Sequence, residues 1–318
     1  MTIMPATDPL AEGLFFIVGT GRSGTTLLQA MLTSHSRLDI PPETKFFQRH
    51  DPIEQRLGGD PLPADRFDAW MSDYFASQDW ADVGLVREEV ERLMRAGDRG
   101  AASLFLAILR AWQARSGKPR LGEKTPLHCK CVRRIAEVFP SAKFIHIYRD
   151  PRDVVASMRR MEWTRGSVRD EARNWRKILD DHRRLSAEFP VATYTEVCFE
   201  TLVQQPEAEL RRLCGFLGEA FEPAMLRYYE REQSGFHERE AGWKGQTRRP
   251  LSDASIGRYR QQLSPREIAL VERVAGPTMV KLGYQPVSGW RTHHPLWMAL
   301  DAAAHLARKT RQNLTRSF

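Results

Sequence analysis

Residues 19–26, Gly-Thr-Gly-Arg-Ser-Gly-Thr-Thr, follow directly on the apolar run Leu14 to Val18. Three glycines let the backbone turn sharply and aim successive N–H groups at one point, and a helix starting at Thr25 would bring its positive end to the same place. Such a segment cradles an anion. The spacing Gly19-x4-Gly24 matches the first half of a nucleoside-triphosphate loop, yet Thr25 occupies the position of the lysine that reaches the β- and γ-phosphates. Arg22 and the two threonine hydroxyls therefore suit a single 5′-phosphate that carries a different transferable group. Taken alone, a turn of this composition is also an ordinary strand-to-helix connection, so its meaning depends on its company.

That company is three further segments: Pro42-Glu43-Thr44-Lys45, Gly122-Glu123-Lys124-Thr125-Pro126, and Tyr148-Arg149-Asp150-Pro151-Arg152-Asp153-Val154-Val155-Ala156-Ser157. In this order the four segments resemble the sulfotransferases that use 3′-phosphoadenosine 5′-phosphosulfate (PAPS), particularly the bacterial branch with Glu-Lys-Thr-Pro. The catalytic segments are also similar to those of tyrosylprotein sulfotransferases. The resemblance covers residues 14–284 and implies that Arg22, Ser23, Gly24, Thr25 and Thr26 hold the donor's 5′-phosphosulfate. It further implies that Arg149 and Ser157 hold its 3′-phosphate. An arginine leaving a strand and a serine two helical turns later can meet one phosphate. The structural alternative is an ion pair of Arg149 with Asp153 or Asp150.

Sulfuryl transfer needs an activated acceptor hydroxyl, in-line approach, and positive charge on the leaving phosphate. The resemblance gives the first task to Glu43, which lies 21 residues after Arg22, and places Lys45 where tyrosylprotein sulfotransferases carry a basic residue. Lys124 takes the leaving group, with Arg22 as a second cation, and the scheme requires no metal. Other branches use a histidine base, so His128, close to Lys124, competes with Glu43; His50 ranks below both, and His35 and His146 read as packing residues. Lys244, Thr247 and Arg248 fall where the family closes a loop over the donor. At Phe199-Glu200-Thr201-Leu202 the chain departs from the related Tyr-Glu-Asp-Leu: Phe199 can pack against adenine but cannot donate the tyrosine's hydrogen bond.

These residues need a scaffold that brings strand ends together. Strands at 14–18, 143–148 and 191–195 alternate with helices at 25–32, 152–161 (after Asp150 as cap and Pro151), 168–188, 206–217 (closed by Gly218) and 265–282, which predicts a parallel sheet. The expected fold is α/β, a P-loop-like central parallel sheet flanked by helices. Residues 1–285 would form the catalytic domain, with 51–118 a helical insertion on the acceptor side that includes helices at 86–96 and 101–116. Trp70, Tyr74, Phe75 and Trp80 there could stack on an acceptor ring or belong to the core. Residues 234–257 read as a loop, and 286–318 as a linker followed by a basic amphipathic helix.

With 318 residues, 42% hydrophobic and 28% charged, the chain fits one large soluble domain with insertions. Its net charge of +8 points to an anionic ligand, an acidic substrate or a membrane surface. No zinc finger, RNP-like motif or basic zipper appears, so nucleic acid is not an expected partner. Cys129, Cys131, Cys198 and Cys214 form no CxxC pair, which argues against a disulfide framework or structural zinc and for a reducing cytoplasm. No signal peptide or membrane span is evident. The expected location is cytoplasmic, with contact at the inner membrane face through 295–318, unless that helix packs on the domain or dimerises. PAPS as donor, PAP as product and a hydroxyl-bearing glycan, lipid, peptide or small molecule as acceptor (an amine also fits) complete the leading reading. The alternatives are a P-loop-like kinase or NTPase, and a non-catalytic nucleotide or polyanion binder at a membrane.

Overall fold

The apolar run after Gly13 becomes strand β1 (Phe15–Gly19), buried at every residue. A strand covered on both faces has no reason to alternate, and this one does not. A computed structural model describes residues 9–51, 57, 61–94, 99–161, 164, 166–231 and 245–289. Strands β2 (Leu38–Asp39), β3 (Arg120–Lys124), β4 (Lys143–Tyr148) and β5 (Tyr194–Cys198) join β1 in one sheet of order β2-β3-β1-β4-β5. Every pairing is parallel: Phe16 lies opposite Glu123 on one side and Phe144 on the other, and Tyr148 opposite Cys198 at the far edge. The expected parallel α/β architecture is therefore present.

The chain divides into two compact units, Met1–Tyr148 with Arg184–Asp253, and Arg149–Arg183 with Ala254–Phe318. The first holds the sheet. Its core is aromatic: Phe16 stacks on Phe105 and Phe144, and Phe46 and Phe47 pack on Phe105. The second unit has its own core of Val155, Ala156, Ala172, Tyr259, Leu263 and Val271. There Asp150 caps the helix Pro151–Met158 by accepting from Arg152 N at 2.8 Å. The helix Pro265–Lys281 opens on a capping box between Ser264 and Glu267.

Several boundaries match the sequence reading, including Val168–Glu188 and Pro206–Leu217, the latter closed by Gly218 at φ 81°. Others do not. The last strand is Tyr194–Cys198 instead of 191–195: Val191 is 87% exposed, and the chain must first turn at Pro190, whose carbonyl accepts from Thr193 N. The Glu-Lys-Thr-Pro segment, assigned no element from sequence, supplies the end of β3, since only Leu121 of that strand is aliphatic and its pattern carries no strand signal. The helix Ala101–Ser116, grouped above with the insertion, is buried along most of its length and packs Phe105 on the sheet. Trp70, Tyr74, Phe75 and Trp80 are buried too, within an aromatic cluster that includes Phe46. They are core, not an exposed stacking platform. Lys244 and the tail 295–318 lie outside the described residues. Among those described, no helix is long and apolar enough to cross a membrane.

Gly24, at the junction of loop and helix, has φ +99°, and a Cβ built on it would come 2.3 Å from Phe199 Cδ2. Both constraints demand glycine. Gly24→Ala should therefore cost at least about 1–3 kcal/mol, the range for a strained backbone alone, read as a lower urea midpoint at unchanged m-value. A loss below about 0.5 kcal/mol would mean that the loop can relax away from Phe199.

Candidate active site

After β1 the chain turns through Thr20 to Gly24 into the helix Thr25–Thr33. Arg22 sits at φ +71°, a left-handed conformation that costs a non-glycine residue about 1–3 kcal/mol and is typical of ligand-binding turns. Ser23 is fully buried, its hydroxyl in a short hydrogen bond with Thr20 Oγ1 and its N–H donating to Thr20 O at 3.3 Å. It shapes the loop from within. Thr25 is buried, while Arg22, Gly24 and Thr26 are half-buried.

Lys124 ends β3, opposite Ile17 of β1 and so one strand away from the loop. Its side chain is completely buried and donates to Glu43 Oε1 through a short ion pair; Glu43 keeps 17% exposure. Removing an ammonium from water costs several kcal/mol, so a buried lysine requires such a partner. The two residues that sequence proposed as base and cation thus stand in direct contact.

What brings Glu43 there is a set of bonds that the sequence reading did not anticipate. On the near side, Gln29 of the helix Thr25–Thr33 donates to Ile40 O and Pro41 O at 3.4 and 3.3 Å. On the far side, Glu123 accepts from Thr44 N at 3.3 Å, from Thr44 Oγ1 at 2.9 Å and from Thr125 Oγ1 at 2.7 Å, while Thr125 Oγ1 accepts from Lys45 N at 3.1 Å. Glu43-Thr44-Lys45 and Glu123-Lys124-Thr125 are stitched residue to residue. Glu123 and Thr125 were legible only as members of a quoted motif; nothing local marks Gln29.

His128 does not face solvent. It is fully buried, with Nδ1 2.7 Å from Glu123 Oε2 and its ring edge-on to Phe47. Burial pushes the Glu123 carboxyl up, but its contact with His128 and the hydroxyl donors outweigh it and hold the group below its usual range. His50 pairs with Asp79 at 3.0 Å. His35 and His146 are buried, and burial drives the His146 imidazole down to about 3. Phe199 packs against the loop at Gly24.

Lys45 has φ +50° and reaches Asp79 Oδ1 at 2.8 Å. Thr247 is buried in the turn Gly245–Arg248, where Arg248 is exposed. In the second unit, Arg149 is 8% exposed; its guanidinium donates to Ser255 O and lies 3.7 Å from Asp153, so the ion pair named above as the structural alternative is present. Asp153 also accepts from Gly257 N and Tyr259 N, both at 2.8 Å. Ser157 is half-buried near the end of the helix that begins at Pro151.

Because the folded state holds the Glu123 carboxyl below its ordinary value of 4.5, its contribution to stability is complete above that value and disappears as pH falls through the lower folded one. The urea midpoint should therefore drop as pH falls below that ordinary value, and Glu123→Gln should remove part of that slope. An identical slope in the variant would show that the carboxylate is not held as described.

Comparison with known proteins identifies the family. The model of the sulfotransferase family matches residues 15–223. Protein-tyrosine sulfotransferase 1 of Danio rerio is 27% identical over 292 residues, covering 86% of this chain and 72% of that protein. The protein-tyrosine sulfotransferase of Drosophila melanogaster is 27% identical over 224 residues, which is 68% of this chain but 40% of that one. Among solved structures, the sulfotransferase domain of the curacin biosynthetic pathway superposes with a TM-score of 0.62 at 19% identity, covering 86% of this chain and 98% of the domain. The sulfotransferase domain of the Synechococcus PCC 7002 olefin synthase gives 0.56 at 23%, covering 86% and 94%. These two likenesses concern the fold, and the family match carries the assignment: the chain belongs to the sulfotransferase family.

Proposed function

We propose that the protein moves a sulfuryl group from PAPS to a hydroxyl or amine acceptor, with Glu43 as general base and Lys124 and Arg22 as the cations on the leaving phosphate. The observation that carries the proposal is the Glu43–Lys124 contact at the carboxyl end of β3, one strand from the glycine loop. Glu43 takes the acceptor's proton as the acceptor oxygen bonds to sulfur. The bond between sulfur and the phosphate oxygen breaks, and its electron pair stays on that oxygen, where Lys124 and Arg22 neutralise it. No step requires a metal. Full burial of His128 against Glu123 favours Glu43 over it as base.

Arg22, Gly24, Thr25 and Thr26 would hold the 5′ side of the donor, with Ser23 supporting the loop, and Arg149 and Ser157 would hold the 3′-phosphate; Thr247 and Arg248 are further candidates. The acceptor is a hydroxyl-bearing glycan, lipid, peptide or small molecule. The names of the relatives point to tyrosine, but the shared segments are those assigned here to donor and catalysis. A cytoplasmic setting is part of the proposal, in keeping with four cysteines whose spacing offers no CxxC pair or disulfide framework.

With labelled PAPS and any acceptor that wild type sulfates, Glu43→Gln should lower turnover by about 10²–10⁴-fold while PAP still binds. Lys124→Ala should lower it by about 10²–10³-fold. EDTA should change neither result. Magnesium-dependent ATP hydrolysis without PAPS turnover would instead support a kinase or NTPase. Arg149→Ala should weaken PAP by about 10–100-fold and leave adenosine 5′-phosphate unaffected, as measured by calorimetry. Equal loss for both nucleotides would remove Arg149 from the 3′-phosphate.

A further inference from the structure

Glu43 is delivered to Lys124 by a backbone turn that its own sequence does not favour. Lys45, two residues on, adopts φ +50° and ψ 17°, and it and Arg22 are the only non-glycine residues with positive φ among those described. Lysine gains nothing intrinsic from the left-handed region, so an external contact must hold it there. The backbone N–H of Lys45 has one such contact in Thr125. Its ammonium has another in Asp79.

Asp79 belongs to the helix Gln78–Val83 and is 5% exposed. Its carboxylate collects three donors from one short stretch: Lys45 Nζ at 2.8 Å, Arg49 NH1 at 3.1 Å and His50 Nε2 at 3.0 Å. All three lie on the segment that follows Glu43, and the last two belong to the single wide helical turn Phe46–His50. The helix carrying Asp79 is itself fixed. Ser77 caps it by accepting from Trp80 N at 3.1 Å, Trp80 packs edge-on against Phe75 at 4.7 Å, and Trp70 Nε1 donates to His50 O. Burial alone would raise the Asp79 carboxyl; its hydrogen bonds with His50 and Lys45 outweigh that and hold it well below the usual range, so the acid is charged whenever the site works.

We propose that Asp79 is a positioning residue for the transfer reaction: by gripping Lys45 it holds the left-handed turn that sets Glu43 against Lys124. It touches neither reactant and acts through the backbone of residues 43–46. The helices between Ala64 and Leu93 then act as the anchor of the base-carrying segment. This inference rests on the reading of Glu43 as the base.

Four full-length variants test it: Asp79→Asn, Lys45→Ala, Lys45→Gly, and Asp79→Asn combined with Lys45→Gly. The probe reaction is transfer of label from PAPS to a hydroxyl acceptor that wild type sulfates, in which Glu43 takes the acceptor's proton as its oxygen bonds to sulfur and PAP leaves; release of p-nitrophenol from p-nitrophenyl sulfate to PAP checks separately that wild type moves sulfuryl groups at all. Asp79→Asn and Lys45→Ala should each lower kcat by about 10–100-fold, the penalty of a misplaced catalytic group, with the Kd for PAP within about twofold of wild type. Lys45→Gly should be at least about tenfold faster than Lys45→Ala, because glycine takes positive φ unaided, and adding Asp79→Asn to it should cost less than about threefold more. A residue that merely stabilised the fold would make glycine no better than alanine. Equal cost of Asp79→Asn in both backgrounds, or an unchanged kcat, overturns the proposal. If wild type itself transfers nothing from PAPS or to PAP, the proposed function fails instead, and the positioning claim is decided by the crystal structure of Asp79→Asn. Glu43 leaving Lys124 supports it; Lys45 keeping positive φ with Glu43 still on Lys124 overturns it.

Discussion

A lysine ammonium with no exposed surface governs the first unit of this molecule. Lys124 sits at the end of a strand inside the sheet, and breaking a buried pair of this kind costs about 3–5 kcal/mol because one charge is left without compensation. Its partner comes from a segment more than eighty residues away in the chain, which must therefore be carried to the strand end and held. Gln29 fixes that segment to the helix leaving the glycine loop, and Glu123 and Thr125 fix it to the strand that supplies the lysine. The glycine loop, Glu43 and Lys124 are thereby tied together, so their relative placement follows from backbone geometry and buried hydrogen bonds instead of from mobile surface side chains.

Much of this was legible beforehand, and the exceptions share a physical cause. The strands β1 and β4 and the helices Val168–Glu188 and Pro206–Leu217 announce themselves through local apolar period, caps and terminal glycines. Glu43 and Lys124 were found because four spaced motifs matched a family. Residues whose job depends on tertiary contact left no such trace. Arg120–Lys124 reads as a polar loop until the sheet closes round it, and Asp79 is one acid among several on a helical stretch until three basic groups converge on it. Trp70 and Tyr74 look equally suited to a ligand or to a core, and only burial decides. His128 was ambiguous for the same reason: proximity to Lys124 in sequence says nothing about which way an imidazole faces.

The strained backbone positions give the site a common logic. Arg22 and Lys45 both hold positive φ without being glycine, and both flank groups assigned to chemistry. Strain of that kind persists only where the surroundings overdetermine it. Around Lys45 the surroundings are visible as Thr125 and Asp79, which ties the segment carrying Glu43 to the aromatic-packed helices beyond residue 61. The second unit follows its own arrangement, with Asp153 organising the Gly257–Tyr259 backbone beside Arg149.

The central claim is that Lys124 is shared between the base and the leaving phosphate. A crystal structure of the full chain with PAP tests it most directly. The account predicts Lys124 Nζ within hydrogen-bonding distance of a 5′-phosphate oxygen, the glycine loop's N–H groups on the same phosphate, and Glu43 facing the space beyond it. A nucleotide bound elsewhere, or at the loop with Lys124 still directed only at Glu43, would contradict it.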